Sequence, residues 1–173
     1  VAKYVSDWSL GETAVAAALL HDVVEDTEYT LEDIEKEFGQ NIAFLVKSVT
    51  KLNRVSYSPD VWDRGSDSKR RSGEKGYIEN FHKMILATAK DIRVVLIKLA
   101  DRLHNLETLE TFKGNRERIA RESLEIYAPL ASRLGMGEIK GIMEDYAFPY
   151  VYPEEYKKLI CFVSDKIETN KKY

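Results

Sequence analysis

The chain has 173 residues, of which 44% are hydrophobic and 32% charged, as expected of a soluble globular domain with a proper hydrophobic core. Its formal net charge of −3 gives no general attraction to nucleic acids or anionic membranes. The single cysteine, Cys161, excludes an internal disulfide and a cysteine-based zinc site, and the chain has neither a membrane-span pattern nor a signal-peptide pattern, so we expect a cytoplasmic protein.

The most informative stretch is an apolar run that ends in a cluster of polar residues. Residues 12–25 are predicted to form one buried helix, because the run contains no Gly or Pro. On such a helix His21 lies over Glu25, and Asp22 lies over Asp26. An imidazole beside carboxylates suits a divalent metal, and a second acidic pair suits orientation of water or proton transfer. The alternative is a solvated helix end.

Three shorter helices are predicted around this stretch. Residues 1–7 are expected to be the end of a helix. Thr30 and Asp33 form the pattern of a capping box, and Gly39 follows as a helix terminator. Residues 41–51 are predicted to form the third helix. Its apolar side consists of Ile42, Leu45, Val46 and Val49.

Residues 53–76 are predicted to form a flexible basic loop. The segment is rich in Ser and Gly and carries six Lys or Arg residues against four acidic residues. It is either a solvated insertion or a flap that meets an anionic substrate or a neighbouring domain.

A second polar pattern follows a predicted helix at 77–90. Asp91 is a good N-cap for a helix that continues to residue 109. Asp101, Asn105 and Thr108 share one face of this helix, with Lys98 one turn before them. An acid, an amide, a hydroxyl and a cation on one face predict a site for a metal and a phosphorylated ligand. The apolar stripe of the helix is Ile92, Leu96, Leu99, Leu103 and Leu106.

The rest of the chain also predicts helices. Residues 116–134 form a long helix that Pro129 should kink, and residues 138–148 form another. Pro153 at the first helical position opens a last helix over 153–173. The sequence shows no β pattern, so the fold class is all-α.

Four segments resemble one enzyme family. The strings ALLHDVVEDT, VTKL, ENFHKMILATAKDIRVVLIKLADRLHNLETL and IYAPLASRLGMGEIKGIMEDYAF look like the hydrolase domain of the bifunctional RelA/SpoT homologue (Rel) stringent-response enzymes. The resemblance covers almost the whole chain, 1–173, and implies a helical bundle of the HD phosphohydrolase superfamily. It implies manganese-dependent hydrolysis of the 3′-pyrophosphate of guanosine tetra- and pentaphosphate, giving GDP or GTP and pyrophosphate.

The resemblance also implies roles for individual residues. His21, Asp22 and Asp101 match three metal ligands, and Glu25 and Asp26 match the acidic pair that positions or deprotonates the attacking water.

Further positions match contacts with the substrate. Asn105 and Thr108 match substrate-binding residues. Lys98 and Arg102 are expected either to neutralise phosphate charge or to form ordinary ion pairs. His104 is interpreted as a structural or supporting residue, and His82 is expected to be solvated.

The family pattern extends beyond both ends of the chain. The fourth metal ligand is a His just upstream of the position of Val1, preceded by a basic loop that contacts guanine. The chain as given is therefore expected to fold but to bind manganese weakly and hydrolyse its substrate poorly. The helix at 153–173 leads towards a synthetase domain in the family, and the parent protein is expected to carry regulatory domains as well.

Two other functions remain open. The domain is alternatively a non-catalytic module that binds nucleotide or a neighbouring domain, or an HD phosphohydrolase for a different nucleotide. Direct binding of nucleic acid is not expected. Metal content and product analysis distinguish these alternatives.

Overall fold

In a computed structural model, the protein is described at residues 1–53 and 90–170, and every regular element in these ranges is a helix. The predicted all-α class is therefore confirmed. Except for Asn53 and Lys90, which are helical, the predicted loop at 53–76, the predicted helix at 77–90 and His82 lie outside the described residues. The chain divides into two compact units, Val1–His104 and Asn105–Tyr173, and each is taken by itself.

The first unit is built from short helices around a common core. The described helices of this unit are α1 (Ala2–Asp7), α2 (Glu12–Leu20), α3 (Val23–Asp26), α4 (Leu31–Phe38), α5 (Gln40–Asn53) and all but the end of α6 (Ile92–Glu107). The capping box at the start of α4 is confirmed, since the Asp33 N–H donates to Thr30 Oγ1 at 3.2 Å and the Thr30 N–H donates to Asp33 Oδ2 at 2.9 Å. Gly39 ends α4 at φ 85°, a conformation that side chains with a Cβ rarely adopt.

The core of this unit combines small side chains on α2 with branched side chains on other helices. Ala14, Ala17 and Ala18 are buried, and their small size lets α2 pack closely against α1 and α5. The other members of the core come from α1, α4, α5 and α6. They are Val5, Ile34, Ala43, Leu45, Val46, Val49, Val94, Ile97 and Ala100. The core therefore joins α6 to the end of α2.

The predicted continuous helix over residues 12–25 is wrong. Helix α2 ends at Leu20, His21 and Asp22 form a turn, and the four-residue α3 begins at Val23. The His21 ring donates its Nδ1–H to the Ala18 carbonyl at 2.9 Å, and this bond competes with the backbone hydrogen bonds that would continue α2. His21 and Glu25 therefore do not belong to the one continuous helix that the sequence had predicted.

Helix α6 begins as predicted, but more of its surface is buried than the single apolar face that the sequence predicted. Asp91 Oδ1 accepts the Arg93 N–H at 2.9 Å, which confirms the N-cap. Ile92 is 46% exposed, so its place in the apolar stripe was predicted wrongly. Val94 and Val95 are buried instead, together with Leu99, Leu103 and Leu106. Apolar residues therefore cover most of the circumference of α6, and Lys98, Asp101 and Arg102 are buried with them.

The second unit contains a helical run with an irregular middle. Its described helices after the end of α6 are α7 (Arg116–Glu122), a π-helical turn (Ser123–Tyr127), α8 (Ala128–Arg133), α9 (Gly137–Val151) and α10 (Pro153–Asn170). The irregularity predicted from Pro129 takes the form of the π-helical turn just before it, because proline lacks the N–H that would bond the carbonyl four residues earlier. Helix α9 contacts α7, α8 and α10. It continues past Pro149, beyond its predicted end.

Candidate metal centre

The centre of the candidate site is the side chain of His21 in the turn after α2. The carbonyl oxygen of Ala18 can only accept a hydrogen bond, so Nδ1 carries the hydrogen. Nδ1–H bonded to a backbone carbonyl is the usual arrangement in histidines whose other nitrogen binds a metal. The turn therefore fixes the ring and directs Nε2 away from α2.

Two carboxylates face this nitrogen. Asp22 Oδ2 lies 2.9 Å from His21 Nε2, and Asp101 Oδ1 on α6 lies 3.7 Å from it. Nε2 itself is buried, and no group among residues 1–53 and 90–170 completes a hydrogen bond of good geometry with it. A lone pair held against two negative groups is unfavourable, so the arrangement calls for a cation between them, either a proton or a metal ion.

The pKa values of His21 and Asp101 are both shifted by the charges that surround them. Burial by itself lowers the pKa of His21, but the carboxylates of Asp101 and Asp22 outweigh it and raise that pKa to about 9. Burial likewise tends to raise the pKa of Asp101, but His21 and Lys98 hold it well below its usual range. At neutral pH the metal-free ring is therefore protonated, and a metal ion must displace this proton to bind Nε2.

Lys98 is the second cation at this site. Its Nζ donates to Asp101 Oδ2, one turn along α6, and only 8% of the Lys98 side chain and 10% of the Asp101 side chain are exposed. The sequence predicted either a phosphate contact or an ion pair for Lys98, and the structure contains the ion pair. The three-residue spacing on a helix was the signal for it.

The donor set fits a divalent metal in its chemistry and nearly in its spacing. Adjacent ligands around an octahedral ion lie about 3 Å apart, and His21 Nε2 and Asp22 Oδ2 match that separation. Asp101 Oδ1 is farther away, and its other oxygen is engaged by Lys98. In the described parts of the chain, accordingly, no three His, Cys, Asp or Glu side chains are already arranged to hold an ion.

The predicted catalytic acids lie in a different environment. Glu25 and Asp26 lie on α3, which follows directly from the His21–Asp22 turn, and both are exposed to solvent. The Thr27 hydroxyl donates to the Val23 carbonyl at 2.6 Å and closes this short helix. Their role in positioning water stays a prediction.

The remaining predicted residues are spread along and beyond the end of α6. Arg102 is buried and His104 is exposed, and the structural or supporting role of His104 stays a prediction. Asn105 is half-buried in the last turn of α6, and Thr108 is exposed just after it. Both belong to the second unit, and their contact with a substrate stays a prediction.

Comparison with known proteins gives consistent matches. A family model described as "HD domain" matches residues 1–137. The chain is 42% identical over 174 residues to the guanosine-3′,5′-bis(diphosphate) 3′-pyrophosphohydrolase of Aquifex aeolicus, covering 100% of this chain and 23% of that protein. It is 44% identical over 158 residues to the bifunctional (p)ppGpp synthase/hydrolase SpoT of Escherichia coli K12, covering 91% of this chain and 21% of that protein.

A third relative has a different name. The chain is 42% identical over 174 residues to the GTP pyrophosphokinase of Streptomyces coelicolor, covering 100% of this chain and 19% of that protein. The chain thus spans about a fifth of the length of these curated relatives. Among the described residues, no helix is long and apolar enough to span a membrane.

Proposed function

The chain belongs to the HD domain family, and from this premise we propose that it hydrolyses the 3′-pyrophosphate of guanosine tetra- and pentaphosphate, giving GDP or GTP and pyrophosphate. The names of the Aquifex and Escherichia coli relatives support this substrate. The presence of His21, Asp22 and Asp101 in one cluster supports the chemistry.

One observation carries the proposal: the buried Nε2 of His21 faces carboxylate oxygens of Asp22 and Asp101 at 2.9 and 3.7 Å. An imidazole nitrogen with two carboxylate oxygens is a donor set for a divalent ion, and the family resemblance points to manganese.

Metal binding and activation of water are assigned to different residues. His21, Asp22 and Asp101 would hold manganese, which when bound supplies a Lewis acid that makes water more acidic and offsets phosphate charge. Glu25 and Asp26, exposed beside the cluster in sequence, orient the attacking water and accept its proton.

The substrate-binding roles rest on chemistry alone. The Asn105 amide and Thr108 hydroxyl suit ribose or phosphate oxygens, and the Arg102 guanidinium suits phosphate.

The test is hydrolysis of guanosine tetraphosphate by the protein with manganese, with the products separated by chromatography. GDP and pyrophosphate are expected, and chelation of the metal should stop the reaction. Asp145→Ala on α9 is a matched control, because Asp145 is exposed and far along the chain from the cluster. Release of two single phosphates, or a rate unchanged by chelator, would contradict the proposal.

A second candidate function follows from the name GTP pyrophosphokinase, which three of the relatives carry. In a protein that makes the nucleotide, this domain would serve as a non-catalytic regulatory module. Binding of guanosine tetraphosphate without turnover at saturating manganese would favour that function. If the protein hydrolysed another nucleotide faster than guanosine tetraphosphate, it would be an HD phosphohydrolase with a different substrate.

We also propose that the parent protein carries a synthetase and further regulatory domains. The support is the length of the relatives, about five times that of the matched region, and the name of the bifunctional Escherichia coli protein.

A further inference from the structure

Lys98 has a position that the proposed reaction does not use. It lies on α6 with 6% of its surface exposed, and its ammonium group donates to Asp101 Oδ2. The other oxygen of the same carboxylate faces His21 Nε2 at 3.7 Å. One carboxylate of the candidate metal centre is thus shared between a fixed ammonium group and the imidazole.

The charges at the centre explain why an ammonium group is useful there. Asp101 is buried and would be costly to ionise without a partner. Lys98 supplies a positive charge next to that carboxylate. The same charge opposes a divalent ion, because both cations seek the same carboxylate at short range.

We propose that Lys98 is an internal counter-cation of the metal centre, which stabilises Asp101 when no metal is bound and competes with the metal ion for that carboxylate. This inference rests on the proposed metal site and assigns Lys98 a role other than phosphate binding. The geometry favours it, because reaching a phosphate would require the buried ammonium group to give up its ion pair with Asp101.

Two variants separate charge from size. Lys98→Met keeps the length of the side chain and removes the charge, whereas Lys98→Arg keeps the charge. Lys157→Met is the matched control: Lys157 also pairs with an acid three residues away, Glu154, but in an ion pair whose side chains are 71% and 70% exposed.

The first measurement is thermal unfolding with chelator present. Loss of one partner from a buried ion pair should lower the melting temperature of Lys98→Met by about 6 °C or more. Lys98→Arg should recover a large part of this loss. Lys157→Met should melt at the same temperature as the unsubstituted protein, because exposed ion pairs contribute little to stability. If Lys98→Met melts like Lys157→Met, the inference is overturned.

The second measurement is calorimetric titration with manganese chloride. Lys98→Met should bind manganese at least about tenfold more tightly, since a competing cation is gone. Weaker binding would overturn the inference and make Lys98 a group that orients Asp101. Unchanged manganese affinity would also overturn it, because the ammonium group would then not compete with the metal ion.

The two readouts remain informative for an unstable or inactive protein. If Lys98→Met unfolds in chelator, saturating manganese should restore the fold, and failure to do so would overturn the inference. Neither readout uses hydrolysis, so a protein that binds manganese but does not hydrolyse guanosine tetraphosphate contradicts the proposed function and leaves the counter-cation intact.

Discussion

The candidate metal centre and the acidic helix α3 are consecutive in sequence but differ in environment. His21 and Asp101 are 9% and 7% exposed, and their charges are balanced by each other and by Lys98. Glu25 and Asp26 are exposed on a four-residue helix. Buried groups with fixed partners keep their positions, whereas exposed carboxylates are open to water and substrate. The comparison separates groups suited to holding an ion from groups suited to handling water.

The largest expected effect is that of Asp101→Ala. This change removes a metal ligand and leaves the Lys98 ammonium buried without its carboxylate. We expect manganese binding to be lost and hydrolysis of guanosine tetraphosphate to fall by about a thousandfold or more, because the reaction then lacks the Lewis acid that activates water. Calorimetry and a product assay measure the two effects. An Asp101→Ala protein that binds manganese as well as Asp145→Ala would remove Asp101 from the centre.

Glu25→Gln should have a smaller and different effect. The carboxylates paired with His21 Nε2 are those of Asp22 and Asp101, whereas Glu25 is exposed, so manganese affinity should stay the same. Loss of a general base typically costs about 10²-fold or more in kcat, or roughly 2.7 kcal/mol of transition-state stabilisation. Glu32→Gln on α4, also exposed, is the control. Equal loss of metal from Glu25→Gln and Asp101→Ala would erase the distinction between the two regions.

The pH dependence of stability tests the charge balance in the buried region. The pKa of His21 is raised from 6.5 to about 9, so its contribution to stability is complete below 6.5 and disappears as the pH rises through 9. The metal-free protein should therefore lose thermal stability over this range, whereas His21→Gln should lose much less. Since manganese replaces the proton, a saturating concentration should flatten the profile. A flat profile without metal would show that His21 is not held as an imidazolium.

The smallest effect is expected from the capping box of α4, which belongs to neither region. Thr30→Ala removes the hydroxyl that accepts the Asp33 N–H, at a cost of about 1 kcal/mol. This corresponds to a fall in melting temperature of roughly 2–4 °C for a chain of this size. Manganese affinity should be unchanged. If Thr30→Ala changed manganese affinity as much as Asp101→Ala does, metal binding would depend on the overall stability of the fold and not on the residues of the metal centre.

Most of the fold was predictable because its signals are local. The capping box at Thr30, the N-cap at Asp91 and the stop at Gly39 depend on groups within a few residues, and all three were confirmed. The errors arose where a tertiary environment competes with a local pattern. Ile92 fits the apolar stripe of α6 by spacing, yet it is exposed, while Val94 and Val95 are buried.

For the candidate site, the sequence by itself determined which groups are available: three imidazoles, among them that of His21, several carboxylates and a lysine one turn from Asp101. Only the tertiary structure decided how they are used. Packing of α2 and α6 into one core brings residues 21 and 101 together, and the Ala18 carbonyl turns the His21 ring so that Nε2 faces two carboxylates. Helical periodicity describes neighbours one turn apart, but it contains no information on contacts between distant segments or on a side chain that ends its own helix.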